Sequence, residues 1–202
     1  MRLLGEQGTA VAAPLAMQAL LRKVGPSPTD MIRADHTRVV AAFHRYKADS
    51  SPARKQAIVS LVCTSLLAHA RMEEEIFYPA MRAAGSTVLE DLESEHQEMK
   101  TMIAQLSGMQ PDDPQYDAAF MELMRDVMHH VADEETMLLS SAEALLGERI
   151  GELGARMMKR RTELMAPHAA GMAGQKMRAM PGGALALAGG LLAGWWLLRR
   201  AR

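Results

Sequence analysis

Leu66 to Pro79 reads L-L-A-H-A-R-M-E-E-E-I-F-Y-P, which sets His69 and Glu73 four residues apart in a run of strong helix formers. At that spacing an imidazole and a carboxylate project from one helix face, one turn apart, and form a two-ligand arm for a cation. Stepping in threes and fours from His69 gives Val62, Ser65, Leu66, Met72, Glu73, Ile76 and Ala80, a largely apolar stripe that has to face a core. A carboxylate left unpaired there is costly. A bound cation, a buried ion pair or protonation of Glu73 would each remove the cost. The pair alone does not choose among these, nor against a satisfied core histidine beside a snorkelling glutamate.

Working outward, the chain punctuates itself into helices. Ser27-Pro28 is an N-cap followed by proline at the first helical position, and predicts a helix to about Ala48 with a stripe of Ile32, Val39, Val40 and Phe43 that includes His36. Ser51-Pro52 repeats the signal and opens the helix that carries the quoted stretch. That helix is expected to end near Gly85, with Pro79 kinking or locally opening it. Ser86 is the expected cap of a third helix reaching Gly108, whose stripe of Leu89, Leu92, Met99 and Ile103 holds His96. Asp113-Pro114 predicts a fourth helix to about Leu146, with Phe120, Leu123, Val127, Met137 and Leu138 on its stripe alongside His130 and Glu134. Short links between long amphipathic helices predict an all-α, antiparallel up-down four-helix bundle.

The 202 residues allow one domain of about 150 residues with appendages. An arm is expected at 1–26, the bundle at 27–147, a basic helix and linker at 148–178, and a hydrophobic tail at 179–202. Few aromatics (4%) and abundant Met (18 residues) favour helices over sheets. The single cysteine, Cys63, excludes an intrachain disulfide and a cysteine-based zinc site, and reads as a small buried hydrophobe. The net charge of −1 hides a division: ten Lys or Arg follow Glu148 against two acids, Glu152 and Glu163, so the bundle segment is acidic, as a carboxylate-rich cation site would be. No glycine-rich phosphate loop or nucleophile-base pairing is present.

Each of the four helices thus contributes one histidine to its apolar stripe (His36, His69, His96, His130), and two add a carboxylate four residues on, Glu73 and Glu134. In a bundle these stripes converge. Four imidazoles and two carboxylates exceed what one tetrahedral zinc requires and suit a pair of ions; mixed nitrogen and oxygen ligands favour iron, with manganese or zinc as substitutes. His129 falls on a polar stripe with Glu122, Arg125, Asp126 and Asp133. His44 sits at the edge of its helix and His168 in the linker, so all three are expected at the surface. Glu74, Glu75 and Glu135 read as solvated charges more than as supports for the ligands. Glu93, one turn before His96, is the favoured supporting or substitute ligand. Met72, Met99 and Met137 are expected to fill core space.

Asp35-His36, H-A-R-M-E-E-E-I-F-Y-P from His69 to Pro79, Glu95-His96, and H-H-V-A-D-E-E from His129 to Glu135 resemble the motifs of the hemerythrin-like (HHE cation-binding) proteins over about residues 27–147. The resemblance implies a carboxylate-bridged non-haem di-iron centre in a four-helix bundle, which in the best-known members binds dioxygen reversibly. It implies His36, His69, His96 and His130 as ligands, Glu73 as a bridging carboxylate, and Glu134 as the partner of His130. The oxygen carriers of the family have a second third-helix histidine where this chain has Lys100. An ammonium does not coordinate unless it loses a proton, so one iron is expected to keep open positions, and reversible oxygen carriage is put in doubt.

The leading expectation is a protein that binds or senses a small oxidant (dioxygen, nitric oxide or peroxide) or iron itself. The alternatives are a redox enzyme acting on peroxide or nitric oxide, with Tyr46 or Tyr78 as electron relays, and a helical interaction module with a structural metal. No nucleic-acid partner is expected. Residues 179–198 carry no charge and are about long enough to cross a hydrocarbon core of roughly 30 Å, with Trp195 and Trp196 before Arg199, Arg200 and Arg202, although five glycines and Pro181 weaken the span. Gly190-x-x-x-Gly194 would let two such helices pair in a homo-dimer. The expectation is a cytoplasmic bundle tethered by this tail to the inner face of a membrane.

Overall fold

The computed structural model describes residues 26–169; the expected N-terminal arm, but for its last residue, and the hydrophobic tail lie outside the described residues. Helix α1, Pro28–Phe43, begins where Ser-Pro puts it, with Ser27 Oγ accepting from the Asp30 amide at 3.1 Å. It stops short of Ala48 because the Arg45 and Tyr46 amides tighten onto carbonyls three residues back. Tyr46 then donates to Asp117 of the fourth helix.

Helix α2 runs as Pro52–Met72, a π turn at Glu73–Phe77, and Tyr78–Ala83. The Tyr78 amide reaches back to the Glu73 carbonyl, five residues away. Pro79 lacks an N–H and crowds the carbonyl four residues back, and the widened turn just before it gives that room. The expected local opening is therefore present, one turn upstream of the proline. Gly85 at φ +94 ends the helix, with the Gly85 amide on the Arg82 carbonyl and the Ser86 amide on the Met81 carbonyl. This pairing uses the Ser86 backbone to close α2. Helix α3, Leu89–Ser107, starts at Val88 without a side-chain cap, so Ser86 is not the cap the sequence suggested.

Helix α4 comprises Tyr116–Asp133, a π turn at Glu134–Leu138, and Leu139–Leu146. Asp113 Oδ1 accepts from the Gln115 amide, folding Asp-Pro into a turn ahead of the helix. No proline explains the second π turn. Both π turns begin at the glutamate of a His-x-x-x-Glu pair, whose carbonyl accepts from the amide five residues on. The extra residue in the turn rotates the buried face, so Leu138, Leu139, Ala142 and Leu146 are buried whereas Met137, expected in the core, is 43% exposed.

The helices enclose two apolar clusters. One gathers Val39, Val62, Leu66, Met99, Ile103, Phe120 and Val127, the other Ile32, Met72, Phe77, Met81, Leu92, Leu138 and Leu139. Along every helix the membership changes over at the histidine, so the polar residues form a layer between two greasy ends. Helix α5, Ile150–Met165, follows a 3-10 turn at Gly147–Arg149 and buries Leu153 and Met157 in the second cluster. It approaches the start of α1 so closely that a Cβ on Gly154 would lie 2.4 Å from the Pro26 carbonyl oxygen. Among the described residues no helix is long and apolar enough to cross a membrane.

Alanine is a better helix former than glycine by about 1 kcal/mol, yet Gly154→Ala is expected to lower the melting temperature, because lifting α5 from Pro26 costs about 1–3 kcal/mol. Thermal unfolding followed by far-UV circular dichroism checks this; an unchanged or raised midpoint would show that the close approach carries no weight.

Candidate metal centre

The six residues singled out in the sequence meet in one buried layer. His36, His69, His96, His130, Glu73 and Glu134 all lie below 6% exposure, and both glutamates are fully buried. Each glutamate faces two imidazoles from different helices. Glu73 Oε2 is 3.2 Å from His69 Nε2 and 3.5 Å from His96 Nε2. Glu134 Oε2 is 3.2 Å from His36 Nε2 and 3.9 Å from His130 Nε2. The Nε2 atoms of His96 and His130 lie 3.1 Å apart. Ligand atoms of His69, Glu73, His96 and His130 fall within one cation-sized cluster, and those of His36, His69 and Glu134 within another.

Behind these atoms runs an outer ring that links each helix to the next. Glu74 on α2 lies 3.2 Å from His96 Nδ1 on α3, Glu95 on α3 lies 2.8 Å from His130 Nδ1 on α4, and Glu135 on α4 lies 2.9 Å from His36 Nδ1 on α1. Asp35 on α1 completes the order toward His69 Nδ1 on α2, at 3.9 Å. A carboxylate only accepts, so each Nδ1 it engages carries a proton, and with a cation in the layer each Nε2 would turn its lone pair inward. The sequence had treated Glu74 and Glu135 as solvated and had given Asp35 and Glu95 no such role. The available signal was that every inward ligand or ligand pair has an acidic neighbour one position away. Glu93, favoured for this role, instead takes a two-pronged bond from Arg82 at the surface. Glu75 pairs with Arg160 of α5. Lys100 stands one remove from the centre, with its Nζ 2.6 Å from both oxygens of Glu74. His129 and His44 are exposed as expected, and His168 lies at the surface after α5.

The donor set fits cations. His36 Nε2, both ring nitrogens of His69, both oxygens of Glu73 and Glu134 Oε2 are buried without a hydrogen-bond partner. Unsatisfied buried polar atoms in such number are otherwise rare. Electrostatics agree. Burial and the nearby Glu134 charge push the Glu73 carboxyl well above its usual range. Burial and the other three imidazoles push His69 well below 6.5, and burial also lowers His130. Burial works to lower His36 as well, but Glu134 and Glu135 outweigh it and leave it raised. The hydrogen bond with His96, joined by Lys100, holds Glu74 down at about 2. A cation in the layer would remove the penalty on Glu73 and use the neutral lone pair of His69.

Two other features shape the layer. The Tyr78 hydroxyl donates to Glu134 Oε1 at 3.2 Å, and its ring stacks on His96 with centroids 5.4 Å apart. Burial and the two glutamates raise its pKa, so it stays a neutral donor. On the other side, Asp35, His36, His69 and His130 join Val39, Leu66, Val127 and Val131 around a cavity of about 10 Å³, about the space of one water-sized molecule.

In protein stripped of metal by a chelator, Glu73 binds a proton more readily folded than unfolded, so its share of stability is full below pH 4.5 and is lost as pH rises. His69 has the opposite sign: its folded form resists protonation, so stability falls as pH drops below 6.5. Glu73→Gln is therefore expected to raise the melting temperature of the stripped protein at pH 7, with the gain shrinking toward pH 4.5. A pH-independent gain, or none, would contradict the buried-charge account. Glu95→Gln or Glu135→Gln is expected to weaken metal binding about 10- to 100-fold, whereas Glu93→Gln leaves it unchanged; titration calorimetry distinguishes them.

Comparison with known proteins agrees with this geometry. Residues 27–142 match the family described as the hemerythrin HHE cation binding domain. A protein of Nostoc sp. (strain PCC 7120) named a DNA nickase is 32% identical over 113 residues, which cover 55% of this chain. The chain spans only about a third (32%) of that relative's length. The crystal structure of a hemerythrin HHE cation binding domain-containing protein from Mycobacterium kansasii superposes with a TM-score of 0.59 over 77% of this chain and 99% of its own, at 16% identity, a likeness of fold. A family match over more than half of the chain, with a His/Glu layer able to hold cations, shows that this protein belongs to the hemerythrin HHE cation-binding family.

Proposed function

We propose that the layer holds two iron ions and that the protein binds or senses a small oxidant: dioxygen, nitric oxide or peroxide. The observation that carries this reading is the cavity of about 10 Å³ against His36, His69 and His130, which leaves room for only a very small molecule beside these imidazoles. Iron held there would supply reversible electron transfer. In this reading His36, His69, His96 and His130 would supply nitrogen ligands and Glu73 and Glu134, each beside two imidazoles, carboxylate oxygens. Val39, Leu66, Val127 and Val131 give the cavity an apolar wall.

A second reading, reduction of peroxide or nitric oxide, is favoured by the buried Tyr78 hydroxyl on Glu134, which places a hydrogen-bond donor beside the six inward residues. Steady turnover with peroxide that falls in Tyr78→Phe would select it. The nickase likeness covers about a third of that relative, and the present reading includes no nucleic-acid partner; a gel shift with nicked and intact duplex tests that separately.

Metal analysis is expected to find about two irons per chain, reduced sharply by His69→Ala or Glu73→Ala and untouched by His129→Ala. Optical bands that change on adding oxygen or nitric oxide to the reduced protein would support the oxidant-binding reading. Bands indifferent to both would reduce the metal to a structural element.

A further inference from the structure

We propose that Arg161 is a positioning residue for the metal centre: from a helix outside the four-helix bundle it holds Asp35 away from His69 and thereby weakens the grip of this imidazole on a cation. The proposal rests on the metal-binding reading of the layer. Three links of the outer ring are closed at 2.8 to 3.2 Å. The fourth, Asp35 to His69 Nδ1, stays open at 3.9 Å although both side chains are buried. What distinguishes it is a separate guanidinium on each oxygen of Asp35, whereas the two oxygens of Glu74 share one ammonium and still reach His96. Arg161 Nη1 donates to Asp35 Oδ2, the oxygen that faces His69, and Arg38 Nη2 lies 2.9 Å from Oδ1. Both oxygens are engaged, and His69 Nδ1 remains buried without a partner.

The placement of Arg161 is enforced from several directions. Leu153 and Met157 anchor α5 in the second apolar cluster, and Gly154 lets it close on Pro26, just ahead of the helix that bears Asp35. Arg160 grips Glu75 on α2, the helix that bears His69, with bonds of 2.6 and 3.0 Å. Helix α5 is thus fastened to both partners of the open link. Without the guanidinium, Asp35 Oδ2 is free to accept from His69 Nδ1, which fixes the tautomer and makes Nε2 a stronger donor to a cation. The loss of a positive charge acts in the same direction.

The test is a Co²⁺ titration of the full chain and of Arg161→Gln, Asp35→Asn and the double variant, with an exposed-face control, Arg156→Gln. Arg161→Gln is expected to bind Co²⁺ about tenfold more tightly and to shift the visible bands of bound Co²⁺, while the control does neither. In the Asp35→Asn background the Arg161 substitution is expected to keep only the small gain from the lost charge, because its main action passes through that carboxylate. A wild-type affinity in Arg161→Gln, or a gain that persists undiminished without Asp35, overturns the proposal. Should Arg161→Gln fail to fold, Arg161→Lys, which keeps the charge and loses the fork, is expected to give an intermediate affinity; a wild-type value overturns the proposal equally. Nitrogen-15 shifts of the His69 ring in metal-free protein supply a readout independent of loading. If the chain binds no Co²⁺, the metal-centre reading fails, and identical His69 shifts in wild type and Arg161→Gln would sink the positioning role on their own.

Discussion

Four imidazoles and two carboxylates buried in one layer form an electrostatic load that the fold has to carry. The aliphatic side chains of the two clusters, such as Leu66 and Leu138, offer nothing to a lone pair. Among the described residues the relief comes from the Tyr78 hydroxyl on Glu134 and from the outer ring, where Glu74, Glu95 and Glu135 grip the far nitrogens of three histidines. That grip orients the rings but leaves the inner atoms, above all both oxygens of Glu73, without partners. A cation supplies what the ring cannot. The layer thus favours metal-bound protein over the stripped form by construction, at a cost in intrinsic stability.

The two faces of the layer differ. Toward the first cluster, valines and Leu66 line a small space against Asp35 and three histidines. Toward the second, the Tyr78 phenol reaches Glu134 and covers His96. A very small molecule has room on one side, and a hydrogen-bond donor stands on the other. The π turns belong to the second side: each adds a residue just after a buried glutamate of the layer, so helix packing beyond the layer need not inherit the rotational phase of the layer residues.

The helices, their proline starts and the six inward residues were legible because they obey a single helix's periodicity, and His36, His69, His96 and His130 each lie on an apolar stripe. The outer ring was not legible for the same reason. A residue next to a ligand is turned about 100° around the helix axis, so Asp35, Glu74, Glu95 and Glu135 leave the stripe and look solvated from their own helix. Their partners lie on the neighbouring helix, at a rotation no one-helix pattern encodes. Glu93 misled in the opposite way, since its phase near His96 suited a supporting role until Arg82 took it. Met137 was misplaced because an α-helical step count runs through a turn that holds one residue more.

The link from Glu135 to His36 spans 99 residues, from the last helix of the bundle back to the first. A chain emerging from the ribosome can pair α1 with α2 and add α3, yet His36 lacks its outer carboxylate, and Glu134 is absent from the layer, until α4 has been made. The nascent protein therefore passes through most of its synthesis with an incomplete set of donors. Both cation-sized clusters among the described residues need a side chain from α4, His130 in one and Glu134 in the other, so neither is complete before the bundle closes.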